Sequence, residues 1–246
     1  MCNQFNSLVL LTTLTMTCLT LLPSSSIADE TKLTYKPLVN GAPNTRVGGG
    51  SRGSRGSRGS RGIDDSVPIL SVLAPNHTGY TVDSQPTIYW SISKLVDKPI
   101  KLTMAYTDFT LGTEPVIETE IKMPHNTGIQ AIDLNKINWK IPQKGLIPQL
   151  EYQWSIAIMM DEQQSSNDIV ASGTIERVSQ PLADQVAAKI AKETDEKKQV
   201  FIYAENGIWY DAIDKLSKLI AQYPNDQKLQ HQRTNLLKEV GLALAN

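Results

Sequence analysis

The 246-residue chain has two cysteines, three phenylalanines and three histidines, with 6% aromatic residues overall, and it carries no large excess of charge of either sign. Both cysteines, Cys2 and Cys18, sit in the first 18 residues, so the body has no thiol for a disulfide, a thiolate nucleophile or a cysteine-bound metal. His77, His125 and His231 have no partner at ligand spacing, and HExxH is absent, so no metal site is expected. A net charge of -1 argues against a dedicated nucleic-acid binder. The chain also lacks a phosphate-binding GxxxxGK[ST] loop and a GxSxG elbow, and no catalytic residue or cofactor-binding residue is assigned.

Long hydrophobic runs are equally scarce. The exception is 8–22, an uncharged stretch too short to span a bilayer comfortably, followed by Pro23 and a serine cluster. With Ser26 and Ala28 at the -3 and -1 places of a cleavage site, residues 1–28 read as a secretory signal peptide cut after Ala28. The expected location is therefore outside the cytoplasm, periplasmic or secreted, with no integral membrane span after cleavage. The segment before the hydrophobic run lacks Lys and Arg, which departs from the usual signal layout.

Residues 29–66 show almost no apolar periodicity and contain four Ser-Arg-Gly triplets at 51–62. This composition predicts a flexible basic linker. Arg52, Arg55, Arg58 and Arg61 are candidates for attaching to a polyanion, although no aromatic residue is interleaved for base stacking and no nucleic-acid partner is expected.

From Val67 the pattern changes to short β-rich runs punctuated by Pro, Gly, Asn and Asp. Seven strands are expected, near 69–73, 87–93, 100–109, 116–123, 129–134, 151–160 and 169–178. Ile88, Trp90 and Ile92 alternate with Thr87, Tyr89 and Ser91, and Tyr152, Trp154, Ile156 and Ile158 alternate with Glu151, Gln153, Ser155 and Ala157, which gives each strand one core face and one wetter face. Leu146 to Tyr152 fits LxPxxxY, and with Trp90 it resembles the tyrosine corner and early-strand tryptophan of fibronectin type III domains. Residues 67–178 are thus expected to form an immunoglobulin or fibronectin-III-like β-sandwich. Trp90, Trp154 and Tyr152 read as core in preference to a sugar-stacking platform.

Past Ser179 the period becomes helical. Val186, Ile190, Val200, Phe201 and Ala204 predict one long or two short helices. Trp209, Ala212, Ile213, Leu216, Leu219, Ile220 and Tyr223 predict a strongly amphipathic one up to Pro224, with Asp211–Lys215 and Asp214–Lys218 pairs on its wet side. A last helix is expected to open at Asn225 or Asp226. Tyr203 through Pro224-Asn225, with Gly207 at the turn, Ala212 at a close helix crossing and Pro224 at the end, resembles one tetratricopeptide unit, so 179–246 is expected to be a small α-helical TPR-like unit.

Several motifs then fall into one order: Tyr35-Lys-Pro37, Gly41-Ala-Pro43, Arg46-Val-Gly-Gly-Gly50, Leu73-Ala-Pro75, Pro86-Thr-Ile-Tyr-Trp90, Gly173-Thr-Ile-Glu-Arg177 and Tyr203-Ala-Glu-Asn-Gly-Ile-Trp-Tyr-Asp-Ala212. In this the chain resembles the mainly cyanobacterial family catalogued as domain of unknown function 928. The resemblance implies no activity and carries over no catalytic residue. The expected function is a non-catalytic exported cell-envelope protein acting as an interaction or scaffolding module with a protein partner, which it would meet either at the sandwich-helix junction, with Trp209 and Tyr210 as candidate partner-binding residues, or at a free sheet edge that accepts a peptide strand. The alternatives are an envelope hydrolase acting on glycan or peptide, with carboxylates gathered by the fold, and polyanion attachment through the arm. If the arm attaches, deleting 51–62 lowers retention on anionic vesicles at low salt and makes no difference at high salt, as vesicle co-sedimentation would measure.

Overall fold

The computed structural model divides into two units, Met1–Thr31 and Lys32–Asn246. Residues 32–38, 46–49, 67–161 and 164–243 are described, all in the second unit. The expected signal peptide at 1–28, the Ser-Arg-Gly triplets and Glu162 lie outside them.

The second unit is mixed α/β, with two sheets and four helices among the described residues. The strands are β1 (Val47–Gly49), β2 (Ile69–Val72), β3 (Gly79–Thr81), β4 (Thr87–Ile92), β5 (Ile100–Tyr106), β6 (Ile117–Ile121), β7 (Gly128–Asp133), β8 (Glu151–Ile158) and β9 (Ile169–Arg177). The helices are α1 (Gln180–Ile190), α2 (Glu196–Glu205), α3 (Trp209–Gln222) and α4 (Gln227–Glu239). One sheet has the order β1-β2-β4-β7 and the other β3-β9-β8-β5-β6. All pairings are antiparallel except β3 with β9.

Period-two alternation accounts for the inner faces. Tyr152, Trp154, Ile156 and Ile158 of β8 and Ile100, Leu102 and Met104 of β5 are buried together with Ile88, Trp90 and Ile92 of β4 in one hydrophobic core. Gly173 of β9 lets the sheets close, because a Cβ there would lie 2.5 Å from the Cβ of Ala74. At the corner before β8 the Tyr152 hydroxyl accepts a hydrogen bond from the Ile147 N–H at 3.2 Å.

The helices start and stop where local chemistry directs. Pro181 sits in the first turn of α1, where its missing N–H costs nothing. Asp195 and Asp226 cap α2 and α4 by accepting from Lys197 N and Lys228 N. Gly207 turns α2 into α3 with a positive φ of 73°, where a Cβ would meet the Lys36 carbonyl. α3 then packs against β3 and β4 while also contacting α2 and α4.

Three features differ from the reading of the sequence. β4 has no wet face, because Tyr89 and Ser91 lie buried beneath the helical layer. The short strands β1 and β3 lack the length that alternation needs to be seen. Residues 32–38, assigned by composition to the linker, dock on the body: Leu33 and Tyr35 are buried, the Lys36 N–H donates to Ala204 O at 3.0 Å, and the Tyr35 N–H donates to Glu239 Oε2 at 2.9 Å. Two apolar side chains and two long-range hydrogen bonds are enough to order so short a segment, and a composition window averages them away.

The first turn of α3 is the junction of helix and sheet. Trp209 donates its indole N–H to the Leu73 carbonyl at 2.8 Å. The Tyr210 hydroxyl accepts from Trp154 Nε1 at 2.8 Å and donates to the Thr174 carbonyl at 2.8 Å. Tyr210→Phe removes the acceptor of a buried indole, so stability should fall by about 1–3 kcal/mol, read as a lower urea midpoint at unchanged m-value.

Candidate functional site

α3 buries Trp209, Tyr210, Ala212, Ile213, Leu216 and Leu219, and sets Asp214 beside Tyr89 of β4. Asp214 accepts a hydrogen bond from the Tyr89 hydroxyl at 3.0 Å and pairs with Lys218 at 2.7 Å, as the i, i+4 spacing predicts. Asp211 does not pair with Lys215. It turns inward to accept from the Val82 N–H at 3.2 Å, and Lys215 reaches Glu196 of α2 at 2.7 Å instead. Helix spacing allows both arrangements, and the backbone donor left by the end of β3 selects one.

Two depressions flank Asp214 and Lys218. The smaller, about 270 Å³, includes Asp83, Asp133, Asp211 and Asp214 among its lining residues. Protein crowds the Asp211 carboxyl closely, although the residue keeps some contact with solvent, and burial pushes it up to about 7 against the hydrogen bonds from Thr81 and Val82. A carboxyl that titrates near neutrality beside other acidic groups suits proton transfer or pH sensing.

The larger depression, about 630 Å³, is a groove between β4 and β7 on one side and α3 and α4 on the other. Ile129, Ala131, Ile220 and Ala221 give it an apolar lining, with Ser91 and Arg233 among its polar residues. Arg233 comes from α4 and is half-buried, with Tyr89 as its electrostatic neighbour. No carboxylate among the described residues lies within ion-pairing distance of its guanidinium. A third depression, about 730 Å³, lies at the tips of the helical hairpins around Asp195, Tyr223 and Asp226.

The residues singled out in the sequence lie elsewhere. Trp209 and Tyr210 are fully buried and committed to hydrogen bonds inside the protein, so neither presents a surface to a partner. Trp90, Trp154 and Tyr152 are core, and the Trp90 indole N–H finds no hydrogen-bond partner among the described residues. Arg52, Arg55, Arg58 and Arg61 lie outside the described residues. His77 is buried with its Nε2 3.1 Å from the Tyr35 hydroxyl and its Nδ1 3.0 Å from Asn76 Oδ1. Among the described residues no group of three or more His, Cys, Asp or Glu could hold a metal ion. Glu118 lies between Lys101 and Lys140, whose ammonium groups hold its carboxyl down at about 2. Nothing in the sequence marked Arg233 or Tyr89 as neighbours, because their proximity depends on how α4 lies against α3 and β4.

The family profile described as Domain of Unknown Function (DUF928) matches residues 47–246. The chain belongs to this family. The match takes in every strand and helix of the described unit, including β1, and leaves the docked segment 32–38 outside. No curated protein matches the chain. Among solved structures, a crystal structure described as an engineered protein is similar to part of it, at 10% identity over 46% of this chain and 20% of that one, with a TM-score of 0.29. The similarity therefore spans a fifth of that protein's length.

Asp211 gives the family member a pH dependence with a definite sign. Between about pH 4 and pH 7 the folded chain keeps a proton that the unfolded chain has released, so this group makes stability fall as pH rises, by at most ~1.4 kcal/mol per pH unit. Glu176, raised by burial and by Glu151, acts in the same sense. His77 is lowered by burial and by Arg46, and acts oppositely, with its contribution lost as pH falls below its ordinary value of 6.5. Asp211→Asn keeps an acceptor for the Val82 N–H and removes the titration. Urea midpoints of wild type and variant should converge near pH 4, with the variant the more stable at pH 7.5.

Proposed function

We propose that the chain is a non-catalytic exported cell-envelope protein that serves as an interaction or scaffolding module. On this reading an immunoglobulin or fibronectin-III-like sandwich carries a TPR-like helical cap. The Tyr152–Ile147 corner bond supports the first part. Support for the second comes from the α2–α3 hairpin, with Gly207 at its turn and the buried Ala212 in α3. The export expectation comes from 1–28, and among the described residues no helix is long and apolar enough to cross a membrane.

The observation that carries the proposal is the groove of about 630 Å³ at the seam of the two layers. Sheet and helices both line it, it combines apolar walls with an arginine that has no carboxylate partner among the described residues, and it borders the terminal strand of the first sheet. Such a concavity with a free strand edge suits peptide or loop capture. The hydrolase alternative would draw on Asp211 and its neighbours instead, so the two readings separate by position.

Filling the groove should abolish capture. Ala221→Trp places an indole between Ile220 and β7 without touching the buried junction at Trp209 and Tyr210. Immobilised wild-type chain should retain a discrete protein from envelope extract, eluted by excess soluble wild type. The Ala221→Trp chain, with an unaltered circular dichroism spectrum, should retain none, whereas Asp211→Asn should retain it fully. Equal retention by wild type and Ala221→Trp would remove the groove from the proposal.

A further inference from the structure

The outer edge of β7 meets no other strand among the described residues, since the sheet ends there. Its register with β4 pairs Ile129 with Ser91 and Ala131 with Tyr89, so the side chains of Ile129 and Ala131 share the face that bears Tyr89, under the helical layer. A strand laid beside β7 would place every second side chain on that same face, in the space bounded by Ile220 and Ala221. Ala131 is exposed and, like Ala221, small, which leaves room for those side chains.

The charge of the groove is one-sided. Arg233 and Lys218 line it, and among the described residues no Asp or Glu does. Lys218 is already paired with Asp214, whereas Arg233 is half-buried with Tyr89 as its electrostatic neighbour and has no carboxylate within ion-pairing distance among the described residues. A partly desolvated guanidinium with its planar fork open is suited to a carboxylate that it can hold through two parallel hydrogen bonds. The other end of β7 has the opposite character. Asp133 lies beside Asp83, Asp211 and Asp214, and the one cation among the lining residues, Lys218, is already paired with Asp214, so a carboxylate placed there would find no free partner. The acidic side chain of a ligand therefore belongs over the Gly128–Ala131 half of the strand.

We propose that the groove binds an extended acidic peptide, added as a further strand on the edge of β7, with a Glu or Asp side chain held by Arg233. This deepens the interaction-module reading and rests on it.

The test uses the full chain and fluorescein-labelled eight-residue peptides of alternating β-branched and polar residues, identical except for a central Glu, Gln or Lys, with fluorescence anisotropy as the readout. The Glu peptide should bind about 10-fold or more tightly than the Lys peptide, in line with a charge-assisted contact. Arg233→Gln should bring the Glu peptide down to the affinity of the Gln peptide, and Arg233→Glu should reverse the preference toward Lys. N-methylation of alternate peptide amides should abolish binding to wild type, which mere docking of a side chain would not require. Should Arg233→Glu fail to fold, Arg233→Gln with a native circular dichroism spectrum carries the charge test. Equal affinities for the three peptides, or an order unchanged in Arg233→Gln, would overturn the proposal. If no peptide binds while Ala221→Trp still loses its envelope protein, the acidic-strand proposal is wrong and the module reading stands. If the Glu peptide binds as expected while capture is indifferent to Ala221→Trp, the groove drops out of the envelope-capture reading and the acidic-strand site stands.

Discussion

A relay of buried hydrogen bonds at the start of α3 holds sheet and helix in one arrangement. Trp154 of β8 donates to Tyr210 of α3, and Tyr210 donates to the Thr174 carbonyl of β9, while the adjacent Trp209 donates to the Leu73 carbonyl just after β2. Each donor is enclosed by apolar neighbours, so leaving any of them unpaired would cost more than the bond contributes when made. Area burial alone would let α3 slide over the sheets. These directional contacts reach strands of both sheets at once and so fix its position. The groove, the acidic depression and the placement of Tyr89 under α3 all follow from that one placement.

Much of the fold was readable from local pattern. β4, β5 and β8 repeat apolar side chains at period two, and the α3 stripe repeats at i, i+3 and i+4, so both announce themselves without tertiary information. Capping was readable too, with Asp226 where the last helix begins. β1 and β3 escaped because three residues cannot establish a period. Tyr89 and Ser91 were placed on a wet face because a single strand does not reveal that a helix covers its second side.

The candidate site was far less legible, for a physical reason. Trp209 and Tyr210 attract attention as large aromatic side chains where the helical pattern meets the strands, yet the same size and polar tips that would suit a partner also suit an internal joint with two hydrogen-bond acceptors to reach. Arg233 and Ala221 look ordinary on helices whose solvent faces are rich in such residues. What distinguishes them is the company they keep across the groove, set by contacts among β4, β7, α3 and α4. The opposite signs of the two depressions are likewise invisible along the chain, since Asp214 and Lys218 sit between them as a single neutral pair.

The docking of 32–38 bears on the order in which the chain folds. Tyr35 donates to Glu239 across 204 residues of sequence, and Arg46 reaches the Val240 carbonyl across 194. A contact of that span must await the last helix, whichever end of the chain emerges first, and the entropy of closing so long a loop is offset only once the intervening sheets are in place. The two ends of the unit therefore clasp late. Until they do, Leu33 and Tyr35 and the surface of α2 and α4 that receives them stay open to solvent. On the export proposed above, a chain crossing a membrane in extended form would carry this built-in delay, because the step that seals the fold needs residues from both ends of the unit on the same side.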